Sequence, residues 1–272
     1  MALLVADAAS SHAPSPPLKW AGGKRWLVSH LIEYWQGQQH RRLVEPFVGG
    51  LAVTLGLAPR RALLNDANPH LIAFYRWLQR GLDVRASGIT FENDRAVYTR
   101  YRTRFNQLIR EGQTDCAEAA ILFYYLNRTG YNGLCRFNAR GFFNVPFGRY
   151  KRIPYREDFS LYRKVLASCE FTHGDFAHIP VNAGDFIYAD PPYDVNFTSY
   201  SAGGFTWADQ KRLAHWLAQH PGPVVASNQA TKRVLRLYRG LGFTVRTVPA
   251  PRRISCDGNR EDAEEMIATR NL

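Results

Sequence analysis

At 272 residues, 46% hydrophobic and 13% aromatic, the chain is long enough to bury a sizeable core and too apolar for a disordered or fibrous protein. Its formal charge of +12 calls for either a polyanionic partner or an arginine-rich solvated surface. No apolar run approaches the roughly 20 residues that cross a bilayer, "MALLVADAAS" lacks the basic start of a secretory signal, and Cys116, Cys135, Cys169 and Cys256 stand too far apart for zinc; a cytoplasmic protein with reduced thiols and no membrane contact is expected.

In chain order, residues 1–17 are rich in Ala, Ser and Pro and read as a mobile tail. "LKWAGGKRWL" then gives a tight loop at Gly22 and Gly23 and a helix whose buried face is Trp26, Leu27, Leu31 and Ile32, ending before Gly37. Lys24 falls near that helix start, an unfavourable place for a cation unless it meets an anion; the alternative is a surface charge. A strand over Leu43 and Val44, a glycine turn at Gly49 and Gly50 and a helix through Leu57 follow. A strand over Ala62 to Leu64, with Asn65 and Asp66 at its end and a helix from Pro69, repeats the unit. Two such units predict a parallel, doubly wound α/β sheet, with ligands beyond the carboxyl ends of the strands.

Residues 71–158 break the rhythm with amphipathic helices over Arg95 to Arg110 and Cys116 to Arg128, then the loop "RTGYNGLCRFNARGFFNVPFGRYK". Between Arg95 and Arg156, twelve cations oppose three acids, +9 of the total +12, with tyrosines and phenylalanines interleaved, a pattern suited to nucleic acid. The α/β rhythm resumes with a helix at Glu157 to Ala167, a strand before "DPPY", a helix over Trp207 to Gln219, strand Val224 to Ala226, a helix over Lys232 to Arg239 and strand Phe243 to Val248. The expected division is a tail at 1–17, a catalytic domain in two parts, 18–70 and 159–272, and a helical insert at 71–158.

The prolines of "DPPY" stop the strand over Phe186 to Tyr188 and display Asp190 and Tyr193 at its carboxyl end. A nucleobase amine is a poor nucleophile because its lone pair is delocalised into the ring. An ionised Asp190 accepting one amine hydrogen, and the Pro191 carbonyl accepting the other, would draw the nitrogen toward tetrahedral geometry; Tyr193 offers a ring on which the base can stack. In "VEPFVGG" the glycines permit close backbone approach or simply tight packing, and Asp66, about 20 residues on, suits ribose hydroxyls.

"LKWAGGKRWL", "VEPFVGG", "NGLCRFNARGFFNVPFGRYK", "DPPY", "FTSY", "SNQAT" and "RRISC" occur here in the order found in the Dam-type DNA adenine-N6 methyltransferases of the D12 class, which the chain resembles from Leu18 nearly to its end. The resemblance implies S-adenosylmethionine as methyl donor, a Rossmann-like methyltransferase sheet with an inserted helical target-recognition domain, and a bacterial or phage origin. It implies Asp190, Pro191, Pro192 and Tyr193 as the catalytic block. Trp20, Ala21, Gly22 and Lys24 would line the cofactor pocket and its edge, Glu45, Phe47 and Gly49 its floor; Asp66 would hold the ribose, and Asp175 and Phe176 the adenine, with Asp190 facing the cofactor as well. A core role for Trp20 and a helix cap for Asp175 remain alternatives.

The DNA-reading block implies Arg136 as a bidentate guanine contact, or else one half of an intramolecular ion pair. Tyr131 and Asn132 would enter or brace the stack, Arg149 and Lys151 would touch phosphate, and Arg128, Leu134 and Asn138 would also belong to the DNA-binding surface. Double-stranded DNA, with GATC as target, is the implied substrate, approached by a monomer or by a dimer on DNA; no metal is expected, since a sulfonium donor is already activated. Leu51 stands where many members have glycine, and the stretch from Tyr193 to "FTSY" is short, which puts cofactor fit and target choice in question. Cytosine-N4 or RNA-adenine methylation and a non-catalytic DNA-binding module are the rival readings.

Overall fold

The structure, a computed structural model, describes residues 14–193, 204–250 and 263–272. Seven strands, β1 (Leu43–Glu45), β2 (Ala62–Asp66), β3 (Cys169–His173), β4 (Phe186–Ala189), β5 (Val224–Gln229), β6 (Thr244–Ala250) and β7 (Ala263–Arg270), form one sheet in the order β3-β2-β1-β4-β5-β7-β6. The first five pair in parallel, and β7 lies antiparallel between β5 and β6.

Because successive side chains leave a strand on opposite faces, nearly continuous apolar strands build two cores. Leu43, Leu64, Phe186, Tyr188 and Val225 pack with Leu31 and Trp35 of α1 (Val28–Trp35) and with Leu71, Phe74 and Leu78 of α3 (Pro69–Arg80). On the other face Val44, Leu63, Ile187, Ala189, Val224 and Ala226 meet Leu213 and Leu217 of α7 (Trp207–Gln219) and Val234 and Tyr238 of α8 (Lys232–Gly240). The result is a doubly wound, Rossmann-like α/β sheet, buried on both sides as parallel sheets are.

The expected insert contains α4 (Arg95–Arg110), capped by Asp94 through the Ala96 and Val97 amides, and α5 (Ala117–Thr129). α5 packs between α3 and α4 and is buried almost all round. Phe74 of α3 stacks on Tyr124 at 5.9 Å, so insert and sheet layer share one core. The boundary expected at residue 71 therefore falls inside a helix: α3 touches β2 and β3 on one side and α5 on the other. A second correction concerns the tail. Residues 1–13 lie outside the described part, but Pro14, Pro17 and Leu18 are buried and the Tyr162 hydroxyl donates to the Ser15 carbonyl, so residues 14–17 already belong to the fold.

In α1 the turn brings Trp35 rather than Ile32 inward, and Ile32 is 46% exposed. Two strands, β3 and β7, have no counterpart in the sequence reading. A short 3-10 turn (Arg25–Leu27) precedes α1, and α2 (Ala52–Leu57) and α6 (Ser160–Leu166) complete the helices used below.

Candidate active site

Strand order reverses at β1, which has β2 on one side and β4 on the other. At such a reversal the two connecting segments diverge and leave a crevice beyond the carboxyl ends. Glu45 ends β1 and Pro46 to Gly50 follow it, Asp66 ends β2, Asp175 follows β3, Asp190 to Tyr193 follow β4, and Ser227 to Gln229 end β5; all lie on this edge of the sheet.

After β1, the loop is tied to its neighbours by hydrogen bonds. The Gly49 amide donates to Asp66 Oδ2 (3.1 Å), the Asn68 amide to Oδ1 (3.0 Å), and the Tyr75 hydroxyl to the Gly49 carbonyl. Burial pushes the Asp66 carboxyl up to about 6. Trp20 covers the turn: a Cβ built on Gly49, whose φ is +47°, would lie 2.9 Å from Trp20 Nε1, and one on Gly50 2.9 Å from Trp20 Cβ. These glycines thus make room for an indole. Leu51 also takes a left-handed conformation (φ 69°) before α2. That costs about 1–2 kcal/mol for a side chain with a Cβ, offset by the roughly 1.5–3 kcal/mol from its complete burial. Glu45 is 2% exposed, accepts the Thr54 hydroxyl, and is pushed up to about 8, chiefly by burial.

Farther along the edge, Phe47 contacts Phe176 and Phe205, with ring centroids 5.7 and 5.6 Å apart. The Asp175 carboxylate caps the turn over Phe176–His178 through the Ala177 amide (2.9 Å) and is gripped by Arg212 at 2.8 and 2.7 Å, which holds it below the usual carboxylate range. The helix-cap alternative is therefore realised, in company with an arginine whose guanidinium lies 4.4 Å from the Phe176 ring centre.

Asp190 does not stand alone. Its Oδ1 lies 2.8 Å from Lys24 Nζ and accepts the Ser227 hydroxyl at 3.0 Å; Ser227 in turn pairs with the Tyr188 hydroxyl at 2.8 Å. Lys24 is 4% exposed, bonds the Gly22 carbonyl at 3.1 Å and lies 3.5 Å from Glu265 Oε1. The surface-charge alternative for Lys24 is thereby excluded. Burial opposes the ammonium charge, but Asp190, Tyr193 and Glu265 outweigh it and hold Lys24 above its ordinary range. Conversely, burial pushes the Asp190 carboxyl upward while Lys24 opposes the shift.

Tyr193 donates its hydroxyl to Glu265 and presents its ring 4.8 Å from Lys24 Nζ; burial keeps its phenol protonated. Gln210 Nε2 holds the Pro192 carbonyl at 2.8 Å and is itself held by Asn228 at 2.9 Å, which fixes the loop after β4. Pro191 packs at the turn with its carbonyl unbonded among the described residues. Ala21 and Gly22 are exposed beside Lys24.

A sequence model of the D12 class N6 adenine-specific DNA methyltransferases matches residues 20–252. The chain is 38% identical over 270 residues to a DNA adenine methylase of Vibrio cholerae, covering 92% of this chain and 94% of that one. It belongs to the D12 class of N6 adenine-specific DNA methyltransferases. A DNA adenine methylase of Escherichia coli K12 is 37% identical over 269 residues, covering 92% of this chain and 93% of that one, and the DNA N-6-adenine-methyltransferase of Escherichia phage P1 is 35% identical over 257, covering 89% of this chain but 33% of the phage protein. The activity is thus methylation of adenine N6 in DNA, which requires a methyl donor.

In this methyltransferase the residues expected to read DNA gather on one loop of the insert. Gly130 bridges Phe147 and Phe137 bridges Phe143, making a small hairpin. Phe137 stacks on His70 of α3 (4.8 Å, 18°), and Asn68 Nδ2 bonds Cys135 Sγ at 3.2 Å, so the hairpin is anchored directly beside Asp66. Tyr131 is 50% exposed, Asn132 is exposed and left-handed (φ 53°), and Leu134 is half-buried against the core. Arg136 is exposed, with Nε on Asn144 Oδ1 (2.8 Å) and Nη2 on the Asn144 carbonyl (3.3 Å); no ion pair holds it among the described residues.

Arg149 and Lys151 are exposed without a hydrogen bond or ion pair among the described residues. Asn138 spends its side chain on the hairpin turn, accepting the Arg140 and Phe142 amides, and Arg128 reaches the Pro154 carbonyl at 3.0 Å; both are structurally committed. The segment bearing Lys24 runs past this loop: the Lys19 amide donates to Asn127 Oδ1 (2.8 Å) and its Nζ to the Arg128 carbonyl (3.0 Å).

The sequence reading left out Ser227, Glu265, Arg212 and Gln210. "SNQAT" carried the signal for Ser227, a polar residue ending a strand beside Asp190's; the other three are brought in only by tertiary packing. "FTSY" and "RRISC" lie outside the described residues.

Proposed function

We propose that this methyltransferase uses S-adenosylmethionine to methylate adenine N6 in duplex DNA, within GATC, on a base turned out of the helix. Donor and site fit on three counts: among the described residues Asp66 accepts two backbone amides and has lone pairs left for ribose hydroxyls, the Gly49–Gly50 turn lies beside it under Trp20, and the cation nearest the catalytic block, Lys24, is balanced by Asp190. Trp20, Ala21, Gly22, Lys24, Glu45, Phe47, Gly49 and Asp66 would border that group, and Phe176 its adenine. Asp175 would serve the adenine only by sharing its carboxylate with Arg212. When bound, the donor supplies an electrophilic methyl carbon on sulfur.

The observation that carries the reading is the arrangement around Asp190. Lys24 Nζ and the Ser227 hydroxyl both contact Oδ1 and oppose the upward push of burial on the carboxyl, while Oδ2 is left for an amine hydrogen and the Pro191 carbonyl is available for the other. Extruding adenine costs a few kcal/mol, and stacking on Tyr193 returns on the order of 1–3 kcal/mol. Orienting the amine can remove about 7–11 kcal/mol of barrier. Asp190 stabilises the positive charge that grows on nitrogen and is the acceptor at hand for the proton shed once the new N–C bond exists.

Arg136 would read a guanine: Asn144 holds Nε and one Nη2 hydrogen, leaving Nη1 and the second Nη2 hydrogen to face outward for a bidentate contact. Tyr131, Asn132 and Leu134 would brace the stack, and Arg149 and Lys151 would bind phosphate. The test is methyl transfer from labelled S-adenosylmethionine to a GATC duplex, a scrambled duplex, single-stranded DNA and RNA. Only the first should be modified efficiently, and Asp190→Ala should abolish transfer while leaving DNA binding largely intact. Equal labelling of the scrambled duplex would remove GATC from the proposal, and activity in Asp190→Ala would remove the mechanism.

A further inference from the structure

The amine proposed to meet Asp190 must compete for a carboxylate that already faces a cation. Lys24 Nζ lies 2.8 Å from Asp190 Oδ1 and 3.5 Å from Glu265 Oε1, between two carboxylates. Glu265 sits on β7, in register with Gln229 of β5 and Val248 of β6. It is 2% exposed in a strand flanked on both sides, where an ionisable group is costly unless it is paired. Its Oε2 accepts the Tyr193 hydroxyl, and its Oε1 has no hydrogen-bond partner among the described residues although it faces Lys24. A buried glutamate thus spends one oxygen on the ring expected to stack the base and aims the other at the cation that restrains Asp190.

We propose that Glu265 is a positioning residue for methyl transfer, anchoring Tyr193 by its hydroxyl and drawing Lys24 partly off Asp190 so that an Asp190 oxygen stays open to the amine. The inference rests on the reading that Asp190 grips the amine. Glu265 forms and breaks no bond in the reaction; it sets where a ring and a charge stand. The charged and titratable groups facing the pair are Lys24 from the segment before α1, Tyr188 and Tyr193 from the β4 side, and Glu45 from β1, with the Ser227 hydroxyl from β5.

The test is single-turnover methylation as a function of pH, with DNA affinity measured alongside, for wild type, Glu265→Gln, Glu265→Ala and Tyr193→Phe. Glu265→Gln keeps an acceptor for Tyr193 but loses the charge. Lys24 then settles on Asp190, and the plateau rate should fall about tenfold, a fraction of the roughly hundredfold that small misplacements can cost. With one negative neighbour fewer, the acid limb of the profile should move to lower pH. Tyr193→Phe, which keeps the ring and removes its tether, should also lower the plateau about tenfold, and Glu265→Ala should lose on the order of a hundredfold, all with DNA affinity within about twofold.

A merely structural role would lower the melting temperature without moving the acid limb. A wild-type rate and limb in Glu265→Gln, or a limb that moves upward, overturns the proposal. Should Glu265→Ala fail to fold, the Gln and Phe variants still decide. Asp190→Asn separates the two ideas: a folded Asp190→Asn enzyme with wild-type rate sinks the amine-gripping reading itself, whereas its inactivity beside a wild-type Glu265→Gln sinks only the role of Glu265.

Discussion

Glu45 shows how a residue proposed to border the methyl donor also writes itself into stability. Its carboxyl ends β1, is 2% exposed and accepts the Thr54 hydroxyl, and burial lifts it from an ordinary 4.5 to about 8. At neutral pH the folded protein therefore holds a proton that the unfolded chain has released. A group whose folded value is raised stabilises the protein below the unfolded value and ceases to do so as pH rises through the folded one, so stability should fall between about pH 4.5 and 8. Glu45→Gln keeps an acceptor for Thr54 and does not titrate. In urea unfolding from pH 5 to 8.5, wild type should lose on the order of 4 kcal/mol relative to the variant. Asp66, lifted to about 6, adds a shallower decline at lower pH to both proteins. Parallel curves would mean that Glu45 is ionised in the folded state.

At the scale of elements, the hairpin of the insert is held by its inner face and exposes Arg136 on its outer one. Phe137 stacks on His70, Phe143 meets Phe105 at 6.1 Å, and Arg136 projects from the exposed side with Asn144 as its brace. Arg136→Ala should therefore cost about 1–3 kcal/mol of discrimination at one base pair and little on noncognate DNA, whereas Arg149→Ala should weaken binding to all sequences alike. Binding curves on GATC and on each single-base variant check this; uniform losses for both arginines would end the division between reading and anchoring.

Most elements were legible because period and punctuation agreed. In α4, Val97, Tyr98, Phe105 and Leu108 recur at helical spacing, and the glycines after β1 mark its turn. The candidate site was legible where polar residues end apolar strands, as with Asp66 and Asp190. β3 was hidden because "CEFTH" is a short edge strand with three polar residues among five. β7 was hidden because "AEEMIATR" favours helix by propensity and is a strand only through its pairing with β5 and β6. Glu265 was lost with it, and the ion pair of Lys24 spans most of the chain, beyond any local pattern.

Across the whole molecule, the question is which cations meet DNA, because both the insert and α8 are basic. α8 presents Lys232, Arg233, Arg236 and Arg239 on its exposed side with no acid among its nine residues. It starts where β5 ends, on the edge of the sheet that carries Asp190, and runs to the opposite edge, where β6 begins, so its last turn moves away from the crevice. Arg149 and Lys151, by contrast, follow the loop that packs against the Lys19 to Lys24 segment, and that segment ends on Asp190. Each phosphate contact on B-DNA contributes about 0.9 to the slope of log affinity against log salt concentration. Replacing both Arg149 and Lys151 by Gln should make that slope shallower by about 1.8, and replacing Arg236 and Arg239 should leave it unchanged despite removing the same charge. Equal changes would mean that the net charge of +12 attracts DNA as a diffuse field around the protein, with no track leading from the insert to Asp190.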